Sequence, residues 1–181
     1  MRHLLENEKR LAYAIFGDSL ASEAVRIHEA TMLPNRIDDF GRWLGRRAAR
    51  PPHHHNAICL GNHCLFPIQL TLDTDTRNIA ATYQLGWLVH ELTHVWQYQH
   101  IGWRYLWQAI RVQLQLGAQA YDYGGAAGLQ RQRDAGWRLQ HFNVEQQAAI
   151  VQHYAERQLR GLPNAAWALY QPDLVDINKI K

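Results

Sequence analysis

The chain has 181 residues, of which 47% are hydrophobic and 19% are charged, values typical of a soluble globular protein. No uninterrupted apolar run approaches the length of a membrane span, which excludes a transmembrane protein, and the formal net charge of only +3 is weak support for a nucleic-acid partner. We therefore expect a single domain over residues 1–181 that binds no nucleic acid.

The N-terminal segment carries charged residues where a signal peptide would need its apolar stretch, so we expect synthesis to end in the cytosol. Residues 4–16 space their apolar side chains as an amphipathic helix does, and Gly17 is expected to end this helix. Residues 23–28 alternate apolar and polar side chains, which predicts a short strand.

Residues 42–55 mix arginine, glycine, proline and histidine and are interpreted mainly as loop. Consecutive histidines on an irregular segment cannot all face one ion, so we interpret Pro51 to His55 as solvated loop rather than as a metal site. A nucleic-acid-binding module is an alternative that no recognised motif supports; it would rest on Arg42, Arg46, Arg47 and Arg50.

The two cysteines lie in residues 58–66, which predict a β-hairpin that turns at Gly61 and Asn62. This register places Cys59 opposite Cys64 in the closer, non-hydrogen-bonded position of the hairpin. A cross-strand disulfide could form there; the alternative, which a reducing cytosol favours, is two free thiols.

A long periodic segment from about Arg77 to Ile101 predicts a central helix, which follows capping side chains in residues 73–76 and ends at Gly102. A second helix is expected over residues 103–116, and the glycine-rich residues 121–128 are interpreted as a loop near the functional site.

A further helix is expected over residues 143–160, with Asn143 and Gln146 as a capping box, and Pro163 opens a last short helix. With the hairpin, these elements predict an α+β fold that is mainly helical and has a small antiparallel sheet.

One pentapeptide of the central helix, His90-Glu-Leu-Thr-His94, carries the strongest chemical signal. Helical residues four apart differ by about 40° around the axis, so both imidazoles project toward a single ion. Glu91 lies about 100° from His90, where it is poorly placed to bind the ion but can accept a proton from a water at an open metal position. The pattern predicts a zinc site with His90 and His94 as ligands and Glu91 as the catalytic base; the alternative is two surface histidines.

The remaining residues of this helix support the metal site, because an apolar packing face lies opposite the histidines. Gly86 shares the ligand side, and the lack of a side chain there would let a strand or a substrate backbone approach. The packing face comprises Leu85, Leu88, Val89, Leu92, Val95 and Trp96.

Zinc bound by two histidines needs a third protein ligand if one position stays open to water. Glu145 is the first candidate, because it lies in the first turn of its helix beside Ala148 and Ala149, whose small side chains would let two helices pack closely. The other candidates are His100, which a straight helix would carry away from the ion, and His141, His153 and Asp134.

Two supporting roles are left open by the sequence. A ligand histidine usually needs a partner for its second nitrogen, and Asp122 or a backbone carbonyl is a candidate. Hydrolysis also needs a donor that stabilises the oxyanion, and the available side chains are Tyr121, Tyr123, His153 and Tyr154.

Three strings give the chain a family likeness: His90-Glu-Leu-Thr-His-Val-Trp-Gln97, Tyr121-Asp-Tyr123 and Asn143-Val-Glu-Gln-Gln-Ala148. The chain resembles the Vgr-related proteins, small zincin-like proteins classed by motif as metallopeptidases and found near bacterial type VI secretion and polymorphic-toxin components. The likeness covers about residues 57–154. It implies a zincin-like fold, a bacterial origin and export by a contractile machine that uses no cleavable signal.

In that pattern the matching site residues of this chain are His90, Glu91, His94 and Glu145. Ala149 departs from the related thermolysin-type pattern, which has an aspartate at this position to orient a ligand histidine. The resemblance therefore implies the metal ligands and the base, and it leaves the partners of the histidines unassigned.

The sequence thus predicts a zinc-dependent hydrolase, a peptidase or amidase, in which Glu91 takes a proton from the metal-bound water and returns one to the leaving amine. The alternative is a zinc-stabilised adaptor or cargo domain of a bacterial secretion system that performs no chemistry. A structural zinc site prefers four closed protein ligands and needs no base beside the histidines, so Glu91 favours the hydrolase.

Overall fold

A computed structural model describes residues 1–36, 56–70 and 78–175 of the chain. Two predictions lie outside these ranges. One concerns residues 42–55, which include the histidine tract and four arginines, and the other concerns the capping residues 73–76. Within the described ranges the fold is α+β and mainly helical, as predicted.

The predicted helices are present in the described ranges, together with α-helices at Gly125–Asp134 and Gln171–Val175 that the sequence does not predict, and short 3-10 helices join several of them. We number them α1 (Glu6–Phe16), α2 (Ile79–Ile101), α3 (Arg104–Leu116), α4 (Gly125–Asp134), α5 (Val144–Leu159), α6 (Ala165–Ala168) and α7 (Gln171–Val175). The 3-10 helices include Gly17–Ser19, Ser22–Ala24, Gly117–Tyr121 and Leu139–His141.

A small sheet contains β1 (Arg26–His28), β2 (Ile58–Leu60) and β3 (His63–Leu65) in the order β1-β3-β2. The predicted hairpin is confirmed, with Cys59 opposite Cys64, and both cysteines are buried free thiols. The sheet is mixed rather than antiparallel, because β1 pairs with β3 in parallel. A parallel pair needs a long crossover, which residues 29–57 supply between β1 and the hairpin.

Helix caps set the ends of the two longest helices. Helix α2 begins two residues later than predicted, because the side chain of Asn78 accepts a hydrogen bond from the backbone N–H of Ala81 (3.2 Å) and caps the helix. At α5 the predicted capping box is confirmed: Asn143 Oδ1 accepts from the backbone N–H of Gln146 (2.9 Å), and Gln146 Oε1 accepts from that of Asn143 (3.2 Å).

The interpretation of residues 121–128 as loop is wrong for its second half, which forms the first turn of α4. Gly124 and Gly125 adopt positive φ angles of 81° and 62°, which turn the chain into the helix. Leu129 is fully buried in the core, so the packing of this side chain outweighs the low helix propensity of the glycines before it.

Helix α2 is buried on all its faces between Leu88 and Gln97. The predicted packing face lies in the hydrophobic core, and the opposite face packs against α5 instead of facing solvent. Ala148 and Ala149 are both buried on α5, where their small side chains allow the close approach that the sequence predicts. The candidate site therefore lies between two packed helices.

Candidate metal centre

Helices α2 and α5 bring His90, His94 and Glu145 together. Oε2 of Glu145 lies 3.6 Å from Nε2 of His90 and 3.5 Å from Nε2 of His94, and the candidate ligand atoms all lie within 4.8 Å of one another. Ligands about 2.1 Å from a tetrahedral zinc ion are about 3.4 Å apart, so these separations suit a shared ion. The structure thus brings together the two histidines and the glutamate that the sequence singles out as candidate ligands.

Burial and charge act against each other at this cluster. Burial would lower the pKa of His94, but the nearby Glu145 carboxylate, which also hydrogen-bonds to the ring, raises this pKa to about 10. Burial would raise the pKa of Glu145, but the two histidines hold it far below its usual range. A coordinating imidazole must be neutral, so metal binding requires His94 to release its proton.

Glu91 lies beside the cluster and is buried, with 4% of its surface exposed. Within the ranges that the structure describes, its Oε2 atom has no hydrogen-bond partner. Burial raises the pKa of this carboxyl group, and the charge of His90 opposes the shift. A buried carboxylate oxygen without a partner is costly, and a water at the open position of a metal would supply one. The residues present therefore fit a bound metal ion.

Each candidate ligand histidine has a side-chain partner that the sequence did not identify. Nδ1 of His90 donates to Oε1 of Gln152 (3.1 Å), and Nδ1 of His94 donates to Oε1 of Gln97 (2.8 Å). The suggested role of Asp122 is wrong, because its Oδ1 atom accepts from the backbone N–H of Gly124 (2.9 Å) in the turn before α4. Helical spacing places Gln97 beside His94, which it follows by three residues, whereas Gln152 contacts His90 from another helix and no spacing signal marks that contact.

The other candidate ligands make contacts elsewhere, and in the described part of the chain none joins the cluster. His100 contacts the backbone oxygen of Trp96 (2.7 Å), and His141 accepts from the backbone N–H of Arg138 (2.7 Å). Asp134 accepts from the side chain of Gln130 (2.9 Å).

Tyr121 is the candidate oxyanion donor that contacts the cluster. Its ring centroid lies 6.0 Å from that of His90, and burial together with the Glu145 and Glu91 charges raises its pKa, which keeps the hydroxyl protonated. Tyr123 instead donates to Nδ1 of His153 (2.6 Å), and this pair lines a separate cavity of about 220 Å³. Tyr154 packs against the hydrophobic core.

The expectation that a strand or substrate backbone approaches Gly86 is wrong, because the side chain of Glu156 lies against this glycine. A Cβ atom at Gly86 would collide with the Glu156 carboxylate. The glycine therefore serves the contact between α2 and α5 rather than access to the site.

Fold and site together define a mainly helical α+β domain with a buried His-His-Glu group that could hold a metal ion. The chain is 32% identical over 157 residues to the type VI secretion system spike protein VgrG2b of Pseudomonas aeruginosa, a match that covers 84% of this chain and 13% of the relative. The chain is therefore related to a segment of a type VI secretion spike protein and spans only a small part of that protein's length.

No family model matches the chain, and no solved structure matches it. Among the described helices, none combines the length and the apolar character needed to cross a lipid bilayer.

Proposed function

We propose that the chain is a zinc-dependent hydrolase that cleaves peptide or amide bonds. The observation that carries the proposal is the position of Glu91, a buried carboxylate beside the cluster of three candidate ligands but not part of it. A purely structural metal site has no use for such a group, whereas a hydrolytic site needs a base next to its metal.

The donor set supports zinc as the ion. Two imidazole nitrogens and one carboxylate oxygen, from His90, His94 and Glu145, are a set that zinc takes in catalytic sites, where a fourth position stays open. Bound zinc supplies Lewis acidity, which lowers the pKa of water and polarises a substrate carbonyl.

Glu91 and Tyr121 supply the remaining chemistry. Burial raises the pKa of Glu91, which makes its carboxylate a stronger base, so it can accept a proton from the attacking water and return one to the leaving amine. The hydroxyl of Tyr121, whose raised pKa keeps it protonated, can donate to the developing oxyanion.

The similarity to a spike protein supports a second part of the proposal, which concerns delivery. We propose that the chain is made in the cytosol and exported by a type VI secretion system. The same similarity favours a second candidate function, a zinc-stabilised adaptor or cargo domain that performs no chemistry. The hydrolase is better supported, because the residues that the structure describes offer three candidate ligands at the cluster rather than the four of a closed structural site.

Incubation of the zinc-loaded chain with a complex peptide mixture, followed by mass spectrometry of the products, tests the hydrolase. We expect wild type to produce new peptide ends and Glu91→Gln, with zinc still bound, to produce none. Glu23→Gln, at an exposed carboxylate paired with Lys9, is a matched control that should cleave like wild type. Equal cleavage by Glu91→Gln would exclude the mechanism, and a folded, zinc-loaded wild type that cleaves nothing would favour the adaptor.

A further inference from the structure

We infer that Gln97 and Gln152 are the positioning residues of the metal centre, which hold both ligand histidines with Nε2 toward the ion and connect them to α5. The inference rests on the proposed metal site and extends it to two side chains that touch neither metal nor substrate. It also identifies the side chains that replace the aspartate of the thermolysin-type pattern, whose position Ala149 occupies in this chain.

The two hydrogen bonds fix the tautomer of each histidine. An amide oxygen can only accept, so the contacts of Nδ1 with Oε1 of Gln152 (3.1 Å) and Oε1 of Gln97 (2.8 Å) place the ring protons on Nδ1. In the neutral form that binds a metal, each Nε2 then carries the lone pair on the side of Glu145. A histidine without such a partner populates both tautomers and rotates, which weakens metal binding.

The amide of Gln97 cannot turn over, because both of its hydrogens are used. Nε2 donates to the backbone oxygen of Val144 (3.0 Å) and to Oε1 of Gln147 (2.9 Å). The Nε2 atom of Gln147 donates in turn to the backbone oxygen of Phe142 (2.8 Å). Gln97 therefore ties His94 on α2 to the residue immediately before Glu145, so the second and third ligands are positioned together.

Gln152 is oriented by a carboxylate. Its Nε2 atom donates to Oε1 of Glu156 (2.8 Å), which leaves Oε1 of Gln152 directed at His90. The Glu156 side chain lies against Gly86, one turn before His90 on α2. A carboxylate thus acts on His90 through an intervening amide, where the thermolysin-type pattern would place an aspartate in direct contact.

Neutral partners have a chemical consequence for the centre. A carboxylate bonded directly to a ligand histidine raises the basicity of the ring, whereas an amide does so less. With Gln97 and Gln152 as partners, Glu145 is the one anionic member of the candidate ligand group. The arrangement would leave a bound ion more electrophilic than carboxylate partners would, while it keeps the tautomers fixed.

Zinc affinity, measured by competition with a chromophoric chelator, tests the inference on the full chain. Gln97→Met and Gln152→Met keep the side-chain volume and remove the amide, and each should lower zinc affinity about 10- to 100-fold. Gln99→Met is the control on the same helix, because the amide of Gln99 bonds to Ala21 and Asn62 away from the site. Unfolding of each metal-free variant is measured alongside to confirm that it folds.

An exchange of two side chains separates positioning from space filling. Gln152→Glu places two carboxylates together and should lose affinity, whereas the double variant Gln152→Glu with Glu156→Gln restores a donor at position 156 and should recover affinity to within about threefold of wild type. Methionine variants that bind zinc like wild type, or a double variant no better than the single one, would overturn the inference alone. A wild type that binds no zinc would remove the proposed function and the inference with it.

Discussion

Oε2 of Glu145 lies 3.5 Å from Nε2 of His94, although the two residues belong to helices separated in sequence by α3 and α4. The contact exists because Ala148 and Ala149 let α5 pack closely against α2. The candidate metal centre is therefore a product of tertiary packing, and changes at the helix contact should reach the ligands.

Replacing Glu91 by glutamine should stabilise the metal-free protein near pH 8 while it removes the catalytic base. Burial raises the pKa of Glu91 in the folded state, so the folded protein binds the proton more tightly than the unfolded chain does, and stability falls as pH rises above about 4.3 toward the raised pKa. Chemical denaturation should show a higher free energy of unfolding for Glu91→Gln than for wild type at pH 8, and this difference should shrink toward pH 4. In a separate activity assay, the same variant should have its turnover lowered about 10²- to 10⁴-fold. A difference in unfolding free energy between the two proteins that stays constant from pH 4 to pH 8 would contradict a destabilising buried charge at Glu91.

The metal-free protein should lose stability at high pH, because the ion pair of His94 and Glu145 is lost when His94 releases its proton. The pKa of His94 is raised to about 10 in the folded state, above its unfolded value of about 6.5, so the stability that this shift contributes is full below about pH 6.5 and is lost as pH rises through about 10. Denaturation of chelator-treated protein at pH 6.5, 8 and 10 measures this loss.

Glu145→Gln is the control for that titration, because it removes the charge that raises the pKa of His94. The decline between pH 6.5 and 10 should be smaller in this variant than in wild type. An equal decline in both proteins would show that other groups cause it.

Gly86→Ala should weaken zinc binding without direct contact with a ligand. The added Cβ atom would displace the Glu156 carboxylate and so release Gln152, for which we expect about a tenfold loss of affinity. The substitution should at the same time stabilise helix α2 itself, since alanine is favoured over glycine by about 1 kcal/mol within a helix. In a Glu156→Ala background the same substitution should leave affinity unchanged, and a further tenfold loss there would disprove the coupling.

Asp173 should be important for stability and unimportant for metal binding. Its buried carboxylate bonds to Arg133 (3.1 Å), Arg138 (3.3 Å) and the backbone N–H of Leu139 (2.9 Å). Asp173→Ala should lower the free energy of unfolding by about 2–3 kcal/mol, less than for a fully buried pair because both arginines are partly exposed. Arg138→Ala is the milder control, expected below about 1 kcal/mol. A change below about 0.5 kcal/mol in Asp173→Ala would contradict the prediction.

Local sequence signals predict most of the helices and the placement of two candidate ligands on one helix face. A spacing of four residues puts His90 and His94 on one helix face, and the capping box at Asn143 and Gln146 is a contact within a few residues, so both follow from sequence. The parallel pairing of β1 with β3 does not, because it spans residues 29–57 and no local pattern specifies the partner of an isolated strand.

The side chains that bond to the two histidines could not be predicted from the sequence. Glutamines are common on helix surfaces, and nothing local marks Gln97 or Gln152 as buried until α5 is packed on α2. The role expected for Gly86 is wrong for the same reason, since the side chain that occupies the space beside it belongs to Glu156, on another helix. The glycine-rich segment before Leu129 is helical because Leu129 is buried in the core, and the local sequence does not predict this burial.

Elemental analysis of the purified chain is the most direct test of the metal centre. With wild type, His94→Ala, Glu145→Ala and the exposed-site control Glu23→Ala prepared together, we expect about one zinc per chain in wild type and control and a loss of zinc in the other two variants. Zinc retained at full occupancy by folded Glu145→Ala, or absent from wild type after exposure to zinc, would contradict a site shared by His90, His94 and Glu145.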